Sequence, residues 1–122
     1  MNDLLQLEHE VLTKLLDGPE ESLQVLRRQA ANLQVCDRHM TGVGFYTRFS
    51  VPPEVPRLRH APSFKLGDVN GTALNIKHGL GFLLYVTGGA LSMLEGYTYD
   101  EGWPETIQSL YLSYAKIPRD IP

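Results

Sequence analysis

A single cysteine, Cys36, stands among the 122 residues. One thiol cannot close an intramolecular disulfide, so a disulfide-stapled secreted scaffold is excluded. No apolar run approaches the roughly 20 residues of a membrane span. Asp3, Glu8, His9 and Glu10 occupy the place where a signal peptide would need its apolar stretch. A cytoplasmic protein without a membrane partner is therefore expected. Positive charge is also scarce: 11 Lys and Arg face 14 Asp and Glu, giving a net charge of −3. That balance argues against a general nucleic-acid binder. Internal repeats and low-complexity tracts are lacking. What is present is 43% hydrophobic residues and 20% charged ones, which is the make-up of an ordinary globular chain rather than a disordered one. This length suits one domain with a sizeable core.

The hydrophobic period changes once along the chain. Leu4, Val11, Leu12 and Leu15 recur at helical spacing, widened by Leu5, Leu7 and Leu16, and predict a helix over Asp3 to Leu16. Asp17-Gly18-Pro19 reads as a stop and restart. A second helix is predicted from Pro19 to Leu33, with Glu20 and Glu21 in its first turn and Leu23, Leu26, Ala30 and Leu33 on one face. Arg27 and Arg28 fall mainly off that stripe. Residues 1–33 are thus expected to form a helical hairpin, and residues 34–116 an antiparallel sheet.

Beyond Leu33 the period becomes two. Val43, Phe45, Phe49 and Val51 alternate with Gly44, Tyr46, Arg48 and Ser50, the pattern of a half-buried strand. A weaker strand, Val35 to Met40, precedes it across a turn at Thr41-Gly42. Pro52, Pro53 and Pro56 mark a loop. Arg57, Arg59 and Lys65, interrupted by Pro56 and Pro62, read as a solvated basic loop. Short strands are predicted at Phe64 to Leu66 and Thr72 to Lys77 around a turn at Asp68 to Gly71. The glycosylation-like triplet Asn70-Gly71-Thr72 reads as part of that turn. Phe82 to Val86 is so apolar that it predicts a strand covered on both faces. Thr87-Gly88-Gly89-Ala90 is a tight turn, Leu91 to Glu95 returns, and Gln108 to Tyr114 is the last strand. Ile117 to Pro122 is expected to be a frayed tail. Helices first and strands afterwards predict an α+β fold of about five to seven antiparallel strands.

Candidate chemistry is sparse. His9, His39, His60 and His78 lack zinc-site spacing, and no metal or cofactor is implied. Cys36 and His39, three apart in a strand, are expected on opposite faces, which leaves Cys36 as a small core residue beside a surface histidine. Gly79-Leu80-Gly81 leads into a strand rather than a helix, so it is a turn and not a phosphate loop. Glu95, Asp100, Glu101 and Glu105 have no neighbouring lysine or arginine in the sequence. Such carboxylates serve glycoside hydrolysis or hold calcium in other settings, but Tyr97, Tyr99 and Trp103 interrupt them. Ordinary solvated charge is the plainer reading of any one of them. Together, Glu95, Tyr97, Tyr99, Asp100, Glu101 and Trp103 form a candidate interface, because Tyr and Trp combine large apolar area with a polar tip. Its negative field favours a basic protein partner. A second set, His39, Tyr46, Arg48 and His78 with Glu95, would suit a pocket between helices and sheet if its members converge.

The segments His78-Gly-Leu-Gly-Phe-Leu-Leu-Tyr-Val, then Gly89, then Leu94-Glu-Gly-Tyr-Thr-Tyr-Asp-Glu-Gly-Trp-Pro-Glu105 resemble a pattern in small uncharacterised bacterial proteins. Thr41-Gly-Val-Gly-Phe-Tyr-Thr and Gly67-Asp-Val belong to the same pattern, so the resemblance spans Thr41 to Tyr114. It implies an α+β domain and an association with immunity to bacterial toxins, and supplies no catalytic residue. The expectation is a non-enzymatic interaction protein. The rival readings are a small-molecule-binding module or small enzyme, and a homodimer formed at an exposed sheet edge.

Overall fold

Two helices, α1 (Gln6–Leu15) and α2 (Glu21–Ala30), precede seven strands: β1 (Gln34–Met40), β2 (Gly44–Ser50), β3 (Phe64–Leu66), β4 (Val69–Thr72), β5 (Leu80–Thr87), β6 (Ala90–Thr98) and β7 (Tyr111–Tyr114). The computed structural model describes residues 4–59 and 63–122. Asp3, His60 and Pro62 lie outside them. The strands form one antiparallel sheet in the order β1-β2-β6-β5-β4-β7, with β3 also paired to β5. The fold is α+β, as the change of period predicts. Among the described residues no helix is long and apolar enough to cross a membrane.

Both helices pack against one side of the sheet, α1 on β4 and β5 and α2 on β6. Val11, Leu12 and Leu15 of α1 and Leu23 and Leu26 of α2 are buried against Phe45, Phe82, Leu84 and Leu94. Polar groups are buried with this layer too, Glu8, Gln29 and Thr47 among them. Glu8, 1% exposed, accepts from Leu5 N (2.9 Å), from Arg38 Nε (2.7 Å) and Nη2 (2.6 Å), and from the Thr47 hydroxyl. Gln29, fully buried, donates to Pro56 O (3.0 Å) and Gly89 O (2.9 Å) and accepts from Leu91 N (2.9 Å). It thereby ties α2 to the proline loop and to the β5–β6 hairpin through backbone groups.

The C-terminal end of α1 is closed by residues far away in sequence. Tyr114 Oη donates to Lys14 O (2.7 Å), Arg119 donates to Leu15 O and Asp17 O, and Arg27 Nη1 donates to Leu16 O (2.6 Å) and Gly18 O (3.0 Å). These donors satisfy the carbonyls that every helix leaves unpaired at its end, and two of them bring positive charge to the negative pole of the helix. Arg119 Nε also lies 2.5 Å from Asp68 Oδ2. The segment Ile117 to Pro122 is therefore anchored rather than frayed, and Ile121 packs against the core.

Other expectations give way for local reasons. Residues Asp68 to Gly71 are not a turn: Val69–Thr72 is a strand between β5 and β7, with Gly71 beneath Phe82, Leu110 and Leu112. The triplet Asn70-Gly71-Thr72 thus lies within the sheet. Thr72 to Lys77 is not a strand, because Ile76 N turns back to Ala73 O (3.1 Å). Leu80 and Gly81 belong to β5, and only Gly79 (φ +86°) makes the turn before it. The last strand begins at Tyr111, since Ser109 has φ +55°. β6 continues past Glu95 to Thr98 because Gly96 leaves room for the Phe45 ring. Cys36 is not a core residue: it is exposed, at a register shift between Val35 and Asp37. Nor is Arg57 simply solvated, for its guanidinium donates to Val51 O, Pro52 O and Val55 O at 2.6–2.8 Å and shapes the proline loop.

Candidate functional site

Residues directly opposite each other in a sheet place their side chains on the same face. The pairing therefore maps the face turned away from the helices. One row across it is Asp37, Arg48, Met93, Tyr85 and Lys65; the next is His39, Tyr46, Glu95 and Leu83; a third is Gly44, Tyr97, Gly81 and Asn70. Tyr46, Leu83, Tyr85, Met93, Glu95 and Tyr97 are only half-buried, while their neighbours along the same strands, Phe45, Thr47, Leu84 and Leu94, are buried beneath the helices. β5 is thus covered on one face only, not on both. Its apolar run mixes core residues with Leu83 and Tyr85, which belong to an open aromatic face.

The rings on this face are held in place. The imidazole of His39 stacks on Tyr46 (centroids 4.9 Å apart, planes 16° apart). Tyr97 meets Tyr99 edge to face at 5.5 Å. Gly81 has a specific purpose here: a Cβ on it would lie 2.4–2.6 Å from Cε1, Cζ and Oη of Tyr97, so the absent side chain lets that ring lie down on the sheet. Tyr97 titrates late, pushed up to about 12, first by burial and then by hydrogen bonding to Tyr99 and by the charge of Glu95. Tyr85 Oη donates to Glu95 Oε1 (3.0 Å), and burial followed by this bond raises its pKa. Lys65 Nζ sits 5.1 Å from the Tyr85 ring centre, and the Arg48 guanidinium 5.8 Å from that of Tyr46. Arg48 Nε donates to Asp37 Oδ1 (3.0 Å), which lies 3.8 Å from His39 Nε2.

Comparison with protein-family models, with curated proteins and with solved structures returned no match.

The residues singled out from the sequence fall into three places. Glu95 and Tyr97 lie on the open face, with Tyr99 at the end of β6. Asp100 is exposed in the following turn with φ +55°. Glu101 accepts from His78 N (2.6 Å) and Lys77 N (3.1 Å), and these two bonds hold its carboxyl below the usual range. Trp103 is elsewhere: it packs edge-on against Phe45 (5.3 Å, 73°), on the helix side of the sheet. Of the second set, His39, Tyr46, Arg48 and Glu95 do come together, but on the face opposite the helices and not in a pocket between helices and sheet. His78 is apart from them, on the turn that Glu101 holds. Asp37, Leu83, Tyr85 and Met93 were missed, and Lys65 belongs not to a basic loop but to β3, beside the Tyr85 ring. The alternation of β6 around Glu95 was the available signal for Met93.

A cleft of about 260 Å³ does open between α1 and the sheet, lined by Leu5, Leu7, Met40, Phe45, Trp103 and Ile107, with Glu8, Arg38 and Glu105 at its wall. The carboxylate of Glu8 is engaged by Leu5 N, Arg38 and Thr47. Among the described residues, no group of three or more His, Cys, Asp or Glu side chains is placed to hold a metal ion.

Proposed function

We propose that this chain is a non-enzymatic binding protein that docks another protein on the open face of its sheet. The observation that carries this reading is the half-buried surface of Tyr46, Leu83, Tyr85, Met93 and Tyr97, across the sheet from both helices. Aromatic residues held in fixed rotamers give contact area at little entropic cost, which is why they dominate interface energetics. The acidic turn carrying Tyr99, Asp100 and Glu101 forms a rim beside it. The resemblance to small bacterial proteins makes immunity to a toxin the biological setting of this proposal, with the cytoplasm as its location.

The test compares partner capture by the parent chain with capture by Tyr97→Ala and Leu83→Asp variants that keep their circular dichroism and melting behaviour. Loss of the same partner in both, with retention by a Leu74→Asp control, is expected. Leu74 is 78% exposed on a separate loop. A partner held equally by all of them removes the open face as the interface.

The second reading is a small-molecule site in the cleft beside Trp103. The cleft itself is the observation in its favour. Against it, its buried carboxylate is already engaged within the protein, and its volume is just under the roughly 300–1,000 Å³ of ligand pockets. Edge-to-edge homodimerisation has less support. β1 is interrupted by its register shift and charged at Asp37 and Arg38, and β7 has four residues. Both features blunt an edge.

A further inference from the structure

We propose that the open face is built around an anchor for one arginine side chain of the protein partner, with Glu95 as its counter-ion and Tyr46, Tyr85 and Tyr97 as its walls. The inference rests on the binding reading above and names the chemistry the partner must bring.

Glu95 sits near the middle of the face. Tyr46 and Leu83 lie directly opposite it on the two neighbouring strands, and Tyr97 is two residues along its own strand. Its Oε1 accepts from Tyr85 Oη at 3.0 Å. The other acid of the face, Asp37, is paired with Arg48 at 3.0 Å. Among the described residues Glu95 has no cation within ion-pairing distance, although Arg48 stands diagonally across from it. Only its Oε1 is engaged among the described residues, so Oε2 is open to a charge-assisted hydrogen bond from an incoming cation.

The rings favour the same kind of ligand. A cation over an aromatic face is attracted to the negative centre of the ring. The protein already uses two of these rings in that way, Tyr85 with Lys65 and Tyr46 with Arg48. Those cations stand in the neighbouring row, Arg48 committed to Asp37. Guanidinium suits the position better than ammonium, because it is planar, stacks on rings and presents several donors to one carboxylate. A net charge of −3 adds a weak long-range attraction for a basic partner.

The experiment is a nuclear magnetic resonance titration of the folded chain, observing the tyrosine rings and the Glu95 carboxyl carbon. Three probes are compared: N-acetyl-arginine methylamide, its lysine counterpart, and the neutral citrulline counterpart. The arginine probe is expected to shift Tyr46, Tyr85, Glu95 and Tyr97 in a saturable way, at least threefold more tightly than the lysine probe, with no saturable shift from citrulline. In Glu95→Gln the arginine affinity should fall at least tenfold. Equal response to citrulline, equal affinity for lysine, an unchanged affinity in Glu95→Gln, or shifts confined to other residues would each overturn the anchor. The comparison of arginine with citrulline needs no variant, so a misfolded Glu95→Gln does not spare the proposal. Silence from all three probes also overturns it, while the capture experiment still decides separately whether the face binds a protein.

Discussion

At the scale of single residues, Glu8 ties α1 to β1 and β2 through Arg38 and Thr47. Burial alone would raise its pKa, but hydrogen bonds from Arg38, Thr47 and Leu5 N together outweigh it and leave the carboxyl below its ordinary 4.5. A carboxyl depressed in the folded state contributes stability that is fully present above the unfolded value and is lost as pH falls through the folded one. The acid limb of the stability curve should therefore begin near pH 4.5 and steepen below it, and Glu8→Gln should flatten it in urea titrations at stepped pH. Glu8→Ala takes their acceptor from the buried Thr47 hydroxyl and from Leu5 N, while Arg38, 27% exposed, stays within reach of water, and should cost about 1.5–3 kcal/mol near neutral pH. Tyr97 gives an alkaline counterpart. Its neutral form is favoured by the fold, so its contribution is present below pH 10 and is lost as pH rises toward about 12. Ultraviolet titration of the phenolates should lose a late-titrating component in Tyr97→Phe.

At the scale of elements, the hairpin of β5 and β6 shows what a sequence pattern can and cannot convey. Gly88-Gly89 was legible as a two-residue turn, and both glycines have positive φ, +59° and +81°. Their different burdens were not legible. A Cβ on Gly88 would meet nothing within 4 Å, whereas one on Gly89 would lie 2.6 Å from the carbonyl of Leu58. Gly88→Asn should cost less than about 1 kcal/mol, since Asn tolerates this region. Gly89→Ala should lose about 1–3 kcal/mol from backbone strain, with the clash against Leu58 in addition. Denaturant midpoints of the two variants make the comparison. β4 shows the opposite failure. Asn70-Gly71 has turn chemistry, but pairing to β5 and β7 on both sides overrides it.

At the scale of the whole molecule, residues 115–122 turn a sheet edge back onto the helices. Arg119 bonds two carbonyls at the end of α1, pairs with Asp68 and lies over the Tyr114 ring at 4.9 Å. Arg119→Ala should cost about 1.5–3 kcal/mol, the range for hydrogen bonds made by a charged group, and a fall in melting temperature checks it. If the melting temperature is unchanged, the segment does not brace the end of α1. The same scale decides the candidate site. Glu95 and Tyr97 could be picked out by composition, yet they share a face with Tyr46 and Tyr85 rather than with Trp103. That grouping depends on which strands are neighbours, and strand order is not encoded in alternation alone.

What the sequence by itself determined is the class of elements and their order: two amphipathic helices, then strands with glycine turns, because local period and turn chemistry act over a few residues. Only the tertiary structure decided which face of β5 stays open, where Trp103 packs, and how the carbonyls ending α1 are satisfied. Each of these depends on contacts between residues tens of positions apart, where pairing register and competition for buried space choose among alternatives that local propensity leaves equal.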